Sequence, residues 1–159
     1  IQSPYLVLSD PALELLARLR RRGVAVRIST NSLASTDNLQ AFSGYRNQRA
    51  RLLALGLQIH EYRPDPAVQV TVMQRYERLR AQAPVFALHA KTLVVDRRVV
   101  YVGTYNLDPR SENLNTEVGV VIHDAAQAAR VAASILVDMR RENSWDAARD
   151  DPDRHAPWG

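Results

Sequence analysis

The sequence has 159 residues, of which 46% are hydrophobic and 24% charged, a composition suited to one globular domain. It contains no cysteine, which excludes disulfides and thiolate metal sites. No apolar run approaches the roughly 18 residues that span a bilayer. The formal net charge of +4 favours an anionic partner, such as a phosphate ester, an acidic membrane surface or nucleic acid, although solvated arginine-rich helices would give the same charge.

Hydrophobic periodicity predicts alternating helices and strands in the first half of the chain. Ser9 followed by Asp10 and Pro11 is typical of a helix start with a capping side chain, and Gly23 is typical of a helix end. The elements predicted to follow are a strand over 24–28, a helix over 45–54 that ends at Gly56, a strand over 57–61 and a helix over 70–81.

Short β-branched runs dominate the second half. Residues 93–95 and 99–102 indicate a hairpin because Asp96-Arg97-Arg98 separates them, and residues 118–122 form a third run. Their continuous apolarity predicts burial on both faces, as in a sheet between helices. The last predicted element is a helix over 124–142 with an inner face of Ala128, Val131, Ala132, Ile135 and Met139.

These elements predict a layered α/β/α domain with a mixed β-sheet. The chain has no internal repeat and no sign of a second domain, so we place one domain at residues 1–145. Residues 146–159 are charged and contain prolines, and they are predicted to be a flexible, frayed tail. No signal peptide opens the chain, and because it begins with Ile1 rather than Met we expect a piece of a longer protein.

Five polar residues are predicted to meet at one end of the hairpin. His89 and Lys91, the only lysine of the chain, are two residues apart on an extended segment, so their side chains leave on the same face. A hairpin brings the start of one strand beside the end of the next, which carries Thr104 and Asn106 to the same place. Glu117, at the start of the third strand, should reach the back of the imidazole.

This set suits the chemistry of a phosphodiester, whose negative charge must be neutralised while one oxygen substituent replaces another. Lys91 supplies a compact positive charge, and Thr104 and Asn106 supply hydrogen-bond donors. His89 can attack phosphorus as a nucleophile or protonate the leaving oxygen. A carboxylate such as Glu117 can orient the imidazole. No two histidines have metal-ligand spacing, so we predict no metal requirement.

The segment HAKTLVVD, from His89 to Asp96, resembles the H-x-K-x4-D signature, or HKD motif, of the phospholipase D superfamily. GTYN, which begins at Gly103, stands where that family usually has G-S-x-N. The runs NLDPRSENLNTE, TNSLASTD and GYRNQR resemble the bacterial cardiolipin synthase branch. The resemblance extends from about residue 3 to residue 145.

The resemblance implies a role for each residue of the set. Lys91 and Asn106 would bind the phosphate, together with Thr104, which keeps the hydroxyl of the usual serine. His89 would perform the covalent or acid–base step, and Glu117 would orient it. Asp96 would be a structural residue of the hairpin.

The family's active site takes two copies of the motif, and a single lysine excludes a second H-x-K in this chain. The implied partner is therefore a second HKD half-domain. We favour a missing N-terminal half, and the alternative is the mate of a symmetric homodimer.

By the same resemblance, the chain would be half of a phosphatidyltransferase that acts on phospholipids through a phosphohistidine, without a cofactor. It would be cytoplasmic or peripheral at a bacterial inner membrane, and nucleic acid would not be its partner. Two alternatives stay open. One is a homodimeric phosphodiesterase or nuclease, favoured by the basic charge, and the other is a catalytically silent half-domain that only binds phosphate.

Four other residues are candidates for substrate contacts. Asn31 and Asp37 follow a predicted strand, where open α/β sheets bind ligands. Tyr45 and Arg110 are candidate headgroup contacts. Ordinary turn chemistry and packing explain all four equally well.

Overall fold

The computed structural model describes residues 1–76, 78, 81–82 and 84–156. Its helices, in chain order, are α1 (Asp10–Arg21), α2 (Leu39–Ala54), α3 (Gln69–Val72), α4 (Pro109–Asn113) and α5 (Ala125–Asp138), with 3-10 turns at Met73–Arg75 and Pro152–His155. Its strands are β1 (Arg27–Asn31), β2 (Gln58–Tyr62), β3 (Thr92–Val95), β4 (Val99–Gly103), β5 (Gly119–His123) and β6 (Ser144–Asp146).

The strands form two three-stranded groups, in the orders β1-β2-β6 and β3-β4-β5. β1 and β2 are parallel, and the other pairs are antiparallel. Gln2 joins the groups because it bridges Ser29 of β1 in parallel and Thr92 of β3 in antiparallel register. The predicted mixed sheet is therefore confirmed, with the N-terminal segment as its central link.

Helices lie on both sides of the sheet, although β5 remains exposed. Ile28 and Ile59 belong to the main hydrophobic cluster, which also contains buried leucines and aromatic residues of α1 and α2. Alternate residues of a strand point to opposite faces. On the other face, Gln2 donates a hydrogen bond to Asp138 of α5 at 2.7 Å, and Tyr62 also bonds to that carboxylate. The α/β/α layering predicted from the sequence is thus present.

The capping of α1 and the start of α2 differ from the sequence prediction. α1 begins after Ser9, but the Ser9 side chain makes no capping hydrogen bond. α2 begins at Leu39, six residues before the predicted start, because the Asn38 side chain accepts a hydrogen bond from Ala41 N at 3.0 Å and caps it. Gly23 ends α1 with a φ of 80°, a left-handed conformation that suits glycine, as predicted.

The third predicted helix is not continuous. Of the range 70–81, the structure forms α3 followed by a 3-10 turn that ends at Arg75. Tyr76 is not helical, whereas residue 78 is. Residues 77, 79 and 80 lie outside the described residues.

The predicted hairpin of β3 and β4 is confirmed. Asp96 and Arg97 at its tip have φ values of 50° and 54°, and Arg98 N closes the turn on Val95 O at 3.0 Å. This backbone matches the turns that join two strands with right-handed twist. At the other end of the hairpin, the ring of Tyr101 lies so close to Gly103 and Gly119 that neither position has room for a Cβ.

The prediction that these strands are buried on both faces is wrong. α5 packs against β3, β4 and β5 on one side, and Val100 is buried there. All five residues of β5 are exposed, and among the described residues no strand pairs with its outer edge. Apolar residues on this part of the sheet remain open to solvent: Leu93, Val95, Val102, Val118, Val120, Val121 and Ile122. We call these seven residues the open apolar surface.

Residues 146–156, the described part of the tail predicted to fray, pack against the domain instead. Asp153 pairs with Arg46 at 3.0 Å and with Arg49 at 2.8 Å, and the ring of His155 stacks on Trp145 with centroids 4.6 Å apart. Arg49 also contacts the buried Glu61 at 3.0 Å. Charged residues in this segment are therefore anchored by partners on α2, which the composition of the tail alone does not reveal.

The buried carboxyl group of Glu61 makes folding depend on pH. Burial raises the pKa of Glu61 to about 7, so the folded state holds this proton more tightly than the unfolded state. The resulting stabilisation is complete below the unfolded pKa of about 4.3 and is lost as the pH rises through about 7. The free energy of unfolding of the wild type, minus that of Glu61→Gln, should therefore decrease between pH 5 and pH 8.

Urea denaturation of both proteins across this pH range measures the difference. Glu14→Gln, which alters an exposed carboxylate of α1, is the matched control. A difference for Glu61→Gln that stays constant or grows with pH would contradict this account.

Candidate active site

An open pocket of about 810 Å³ lies at the end of the sheet formed by β3, β4 and β5. It is lined by His89, Lys91, Gly103, Thr104, Asn106, Leu114, Asn115, Thr116, Glu117 and Val118. All five residues that the sequence predicted to converge are among them.

The antiparallel pairing of the strands brings these residues together. Gly103, at the end of β4, donates a backbone hydrogen bond to Lys91 O at 3.1 Å and pairs with Gly119 at the start of β5. The next residue, Thr104, donates from its backbone to Val118 O at 2.9 Å. The segment before β3, the loop after β4 and the loop before β5 therefore meet at one end.

His89 and Lys91 are in direct contact. The Lys91 ammonium lies 3.0 Å from Nδ1 and 3.2 Å from Nε2 of His89, and it donates to the carbonyl oxygen of His89 at 2.9 Å. An ammonium group can only donate, so a ring nitrogen that bonds to it acts as the acceptor.

The charge of Lys91 is set by opposing influences. Partial burial lowers the pKa of Lys91, and the carboxylates of Asp37, Glu117 and Asp108 act in the other direction. Asp37 also accepts a hydrogen bond from the Tyr5 hydroxyl at 3.0 Å. Asp37 is not part of the pocket lining, so its predicted place in the cleft stays a prediction.

Glu117 is held by neighbours other than His89. The Thr104 hydroxyl donates a short hydrogen bond to Oε2, and Asn115 Nδ2 donates to Oε1 at 3.2 Å. Hydrogen bonds from Thr104, and next from Ser111, lower the pKa of Glu117 and favour its ionised form. Among the described residues, no hydrogen bond joins Glu117 to His89, so its orienting role stays a prediction.

Asn106 presents a carboxamide with unused hydrogen-bonding capacity. It lines the pocket, and its buried Oδ1 has no hydrogen-bond partner among the described residues. Its backbone is fixed because Asn106 N donates to Ser111 Oγ at 3.1 Å, and Ser111 N donates to Asp108 Oδ1 at 2.8 Å. α4, capped by Asp108, therefore holds the loop that carries Asn106.

Three predicted substrate contacts lie elsewhere. Asn31 is only 1% exposed, and its amide bonds to the backbone of Leu88 instead of lining the pocket. Tyr45 is also buried, and its hydroxyl donates to Glu61 at 2.7 Å. Arg110 is exposed on α4 outside the pocket lining. A single sequence places these residues near polar turns but cannot show which way each side chain turns.

Asp96, the last residue of the HKD motif, lies at the hairpin tip. The four residues of β3 lie between it and Lys91, so five steps of about 3.3 Å separate the two by roughly 16 Å. It is exposed and adopts the left-handed φ that aspartate tolerates better than most residues. Its conformation fits the structural role implied by the resemblance.

Asn115 was missed as an individual residue. It lies in the run NLDPRSENLNTE, which suggested the family without assigning it a role, and it holds the Glu117 carboxylate.

Within the described part of the chain, no group of three or more metal-binding side chains occurs, and no helix is both long and apolar enough to cross a bilayer.

The family described as "Cardiolipin synthase, PLD-like domain" matches residues 1–139 of the chain. The chain therefore belongs to the phospholipase D superfamily, in its cardiolipin synthase-like branch, as the motifs predicted. At the general level, this assigns it to a family of phospholipase D-type enzymes of phospholipid biosynthesis.

Bacterial cardiolipin synthases are among its relatives. Cardiolipin synthase C of Escherichia coli (strain K12) is 36% identical over 149 residues, which are 93% of this chain and 30% of that protein. Minor cardiolipin synthase ClsB of Bacillus subtilis (strain 168) is 31% identical over 141 residues, 87% of this chain and 29% of that protein. The chain thus spans less than a third of the length of these relatives.

Solved structures share the fold. A phosphatidylserine synthase from Haemophilus influenzae has a TM-score of 0.61 at 17% identity, covering 99% of this chain and 36% of that one. Nuc from Salmonella typhimurium, a phospholipase D family member, has a TM-score of 0.60 at 16% identity, covering 91% of this chain and 79% of that one. Both confirm the predicted fold class.

The hydroxyl of Thr104 should control the ionisation of Glu117. Thr104→Val removes a donor to the carboxylate, so the pKa of Glu117 should rise, whereas Thr104→Ser keeps the donor and should leave this pKa close to that of the wild type. NMR titration of ¹³C-labelled glutamate carboxyls measures both variants. Equal Glu117 pKa values in the Val and Ser variants would contradict this role of the hydroxyl.

Proposed function

We propose that the chain is one catalytic half of a phosphatidyltransferase of the cardiolipin synthase type. The observation that carries this proposal is the meeting of His89, Lys91, Thr104 and Asn106 in a single open pocket. Membership of the cardiolipin synthase-like family supports a phospholipid as the substrate.

Three of these side chains have complementary tasks in this proposal. Lys91 and the Asn106 carboxamide bind the non-bridging oxygens of the phosphate. In the first step a histidine nitrogen forms a bond to phosphorus, the bond from phosphorus to the leaving alkoxide breaks, and an acid protonates that alkoxide. In the second step a hydroxyl group of the acceptor loses its proton to the same acid–base group and displaces the histidine. His89 is either the nucleophile or the acid, and a second histidine takes the other task.

The second histidine would come from another HKD half-domain. The open apolar surface lies beside the pocket, and its residues Val118 and Val120 are 70% and 60% exposed. The strand register places these residues on both faces of the β3-β4-β5 sheet, and clusters of exposed apolar residues are typical of protein interfaces. Two sources of the other half remain, a further part of the same polypeptide and a second copy of this chain. The short span relative to the bacterial cardiolipin synthases favours the first.

A peripheral position at the inner membrane of a bacterium fits this function. The end of α1 carries Arg18, Arg20 and Arg21, which supply positive charge towards an acidic lipid surface.

The second candidate is a homodimeric phosphodiesterase or nuclease. The net charge of +4 favours a polyanionic substrate. This candidate requires a two-fold dimer of this chain, so that each copy supplies one His89.

His89→Ala in the full-length protein should abolish phosphatidyl transfer. Loss of either a nucleophile or a general acid should lower the rate by about 10²-fold or more. The measurement is cardiolipin formed from phosphatidylglycerol vesicles, followed by mass spectrometry. His123→Ala, which alters an exposed histidine at the end of β5 outside the pocket lining, is the control and should retain activity.

If His89→Ala turned over phosphatidylglycerol at the wild-type rate, His89 would have no catalytic role. Absence of transfer by the wild type, combined with cleavage of single-stranded DNA in the presence of a chelator, would select the nuclease candidate instead.

A further inference from the structure

The buried side chain of Asn31 binds both polar groups of one peptide residue. Asn31 Oδ1 accepts a hydrogen bond from Leu88 N at 2.8 Å, and Asn31 Nδ2 donates to Leu88 O at 3.0 Å. Asn31 is the last residue of β1 and is 1% exposed. Its carboxamide therefore takes the place of a neighbouring strand and pairs with Leu88 as a peptide group would.

Leu88 directly precedes His89, and this part of the chain is outside any strand or helix. The neighbouring fixed points along the backbone are the hydrogen bonds from Phe86 N to Pro64 O at 2.8 Å and from Gly103 N to Lys91 O at 3.1 Å. The contact with Asn31 is therefore the fixed point closest to His89 on its N-terminal side. The position of the imidazole depends on the contact between Asn31 and Leu88, because a side chain is fixed in space only if the backbone that carries it is fixed.

We propose that Asn31 is a positioning residue for catalysis, which fixes the main chain at Leu88 so that the His89 imidazole points into the phosphate pocket. This inference rests on the proposed function in that His89 is taken as the reacting group. It gives a role to the TNSLASTD segment, which the pocket itself does not include.

The residues after Asn31 hold its amide in one orientation. Ser35 Oγ lies 3.4 Å from Asn31 Oδ1, accepts from Ser32 N at 3.0 Å and donates to Tyr62 O at 2.9 Å. On the other side, Asn31 Nδ2 lies 3.4 Å from Pro4 O. An inverted amide would set its donor against Leu88 N and its acceptor against Leu88 O. Such a state would leave four buried polar groups unsatisfied, so one orientation is strongly preferred.

Other side chains cannot reproduce this contact. Aspartate keeps the acceptor for Leu88 N but places negative charge against Leu88 O, and glutamine is one methylene too long. Either change should shift the peptide at Leu88. A displacement of about 1 Å at a reacting group can cost roughly 10²-fold in rate.

The chain offers a matched control for the burial of an asparagine. Asn143 is also buried and also binds two backbone groups, accepting from Val68 N at 2.9 Å and donating to Val137 O at 2.8 Å. Neither partner lies next to a pocket residue. Asn143→Asp should therefore cost stability without a matching loss of catalysis.

The test compares Asn31→Asp with Asn143→Asp in the full-length protein. We expect Asn31→Asp to lower kcat for phosphatidylglycerol by roughly 10²-fold, with a smaller change in KM, at a temperature where thermal melting shows both variants folded. Asn143→Asp should keep kcat within about threefold of the wild type. The proposal would be overturned if kcat fell in both variants in proportion to the decrease in their Tm. It would also be overturned if Asn31→Asp kept the kcat of the wild type.

A second readout does not depend on lipid turnover. The ¹⁵N signals of the His89 ring, followed through a pH titration, should differ from the wild type in Asn31→Asp and coincide with it in Asn143→Asp. If the wild type transfers no phosphatidyl group, the proposed function fails while the ring signals still decide whether Asn31 positions His89. Should Asn31→Asp not fold, Asn31→Ser takes its place, and an unchanged His89 signal in that variant would refute the inference.

Discussion

The antiparallel register of β3, β4 and β5 is the constraint on which the candidate site depends. It places Lys91 O against Gly103 N and Gly103 against Gly119, so three chain segments that are far apart in sequence meet at one end of the sheet. A shift of one residue would turn the side chains of a strand to the opposite face. Tyr101 helps to fix the register, since its ring needs glycine at both positions beneath it. The pocket is thus a consequence of strand pairing, and the reactive groups lie on rigid elements.

Much of this arrangement could be predicted from the sequence because it rests on local rules. The hairpin follows from two β-branched runs around Asp96-Arg97-Arg98, and the convergence of His89 with Thr104 follows from the geometry of any hairpin. What the sequence could not show depends on contacts across the fold. The packing of residues 146–156 requires Asp153 to meet Arg49 of α2, and the role of Asn31 requires a contact with Leu88, 57 positions along the chain.

The exposure of β5 was the most informative departure from prediction. Continuous apolar strands normally indicate burial by helices on both sides, yet β5 is exposed along its whole length and apolar residues of β3 and β4 are also open to solvent. The composition of the strands is therefore that of a buried sheet, while the described residues supply only part of the cover. A second half-domain that packs beside the pocket would explain this mismatch. It would also explain why the chain has a single HKD motif and spans only part of the length of its relatives.

In the proposed site, an imidazole, an ammonium and a carboxamide surround one phosphate. A crystal structure with bound tungstate, an analogue of phosphate with strong anomalous scattering, would reveal this arrangement. We expect one tungstate in the pocket, with its oxygens within hydrogen-bonding distance of His89, Lys91 and Asn106. Tungstate bound elsewhere on the chain, with this pocket empty at saturating concentration, would contradict it.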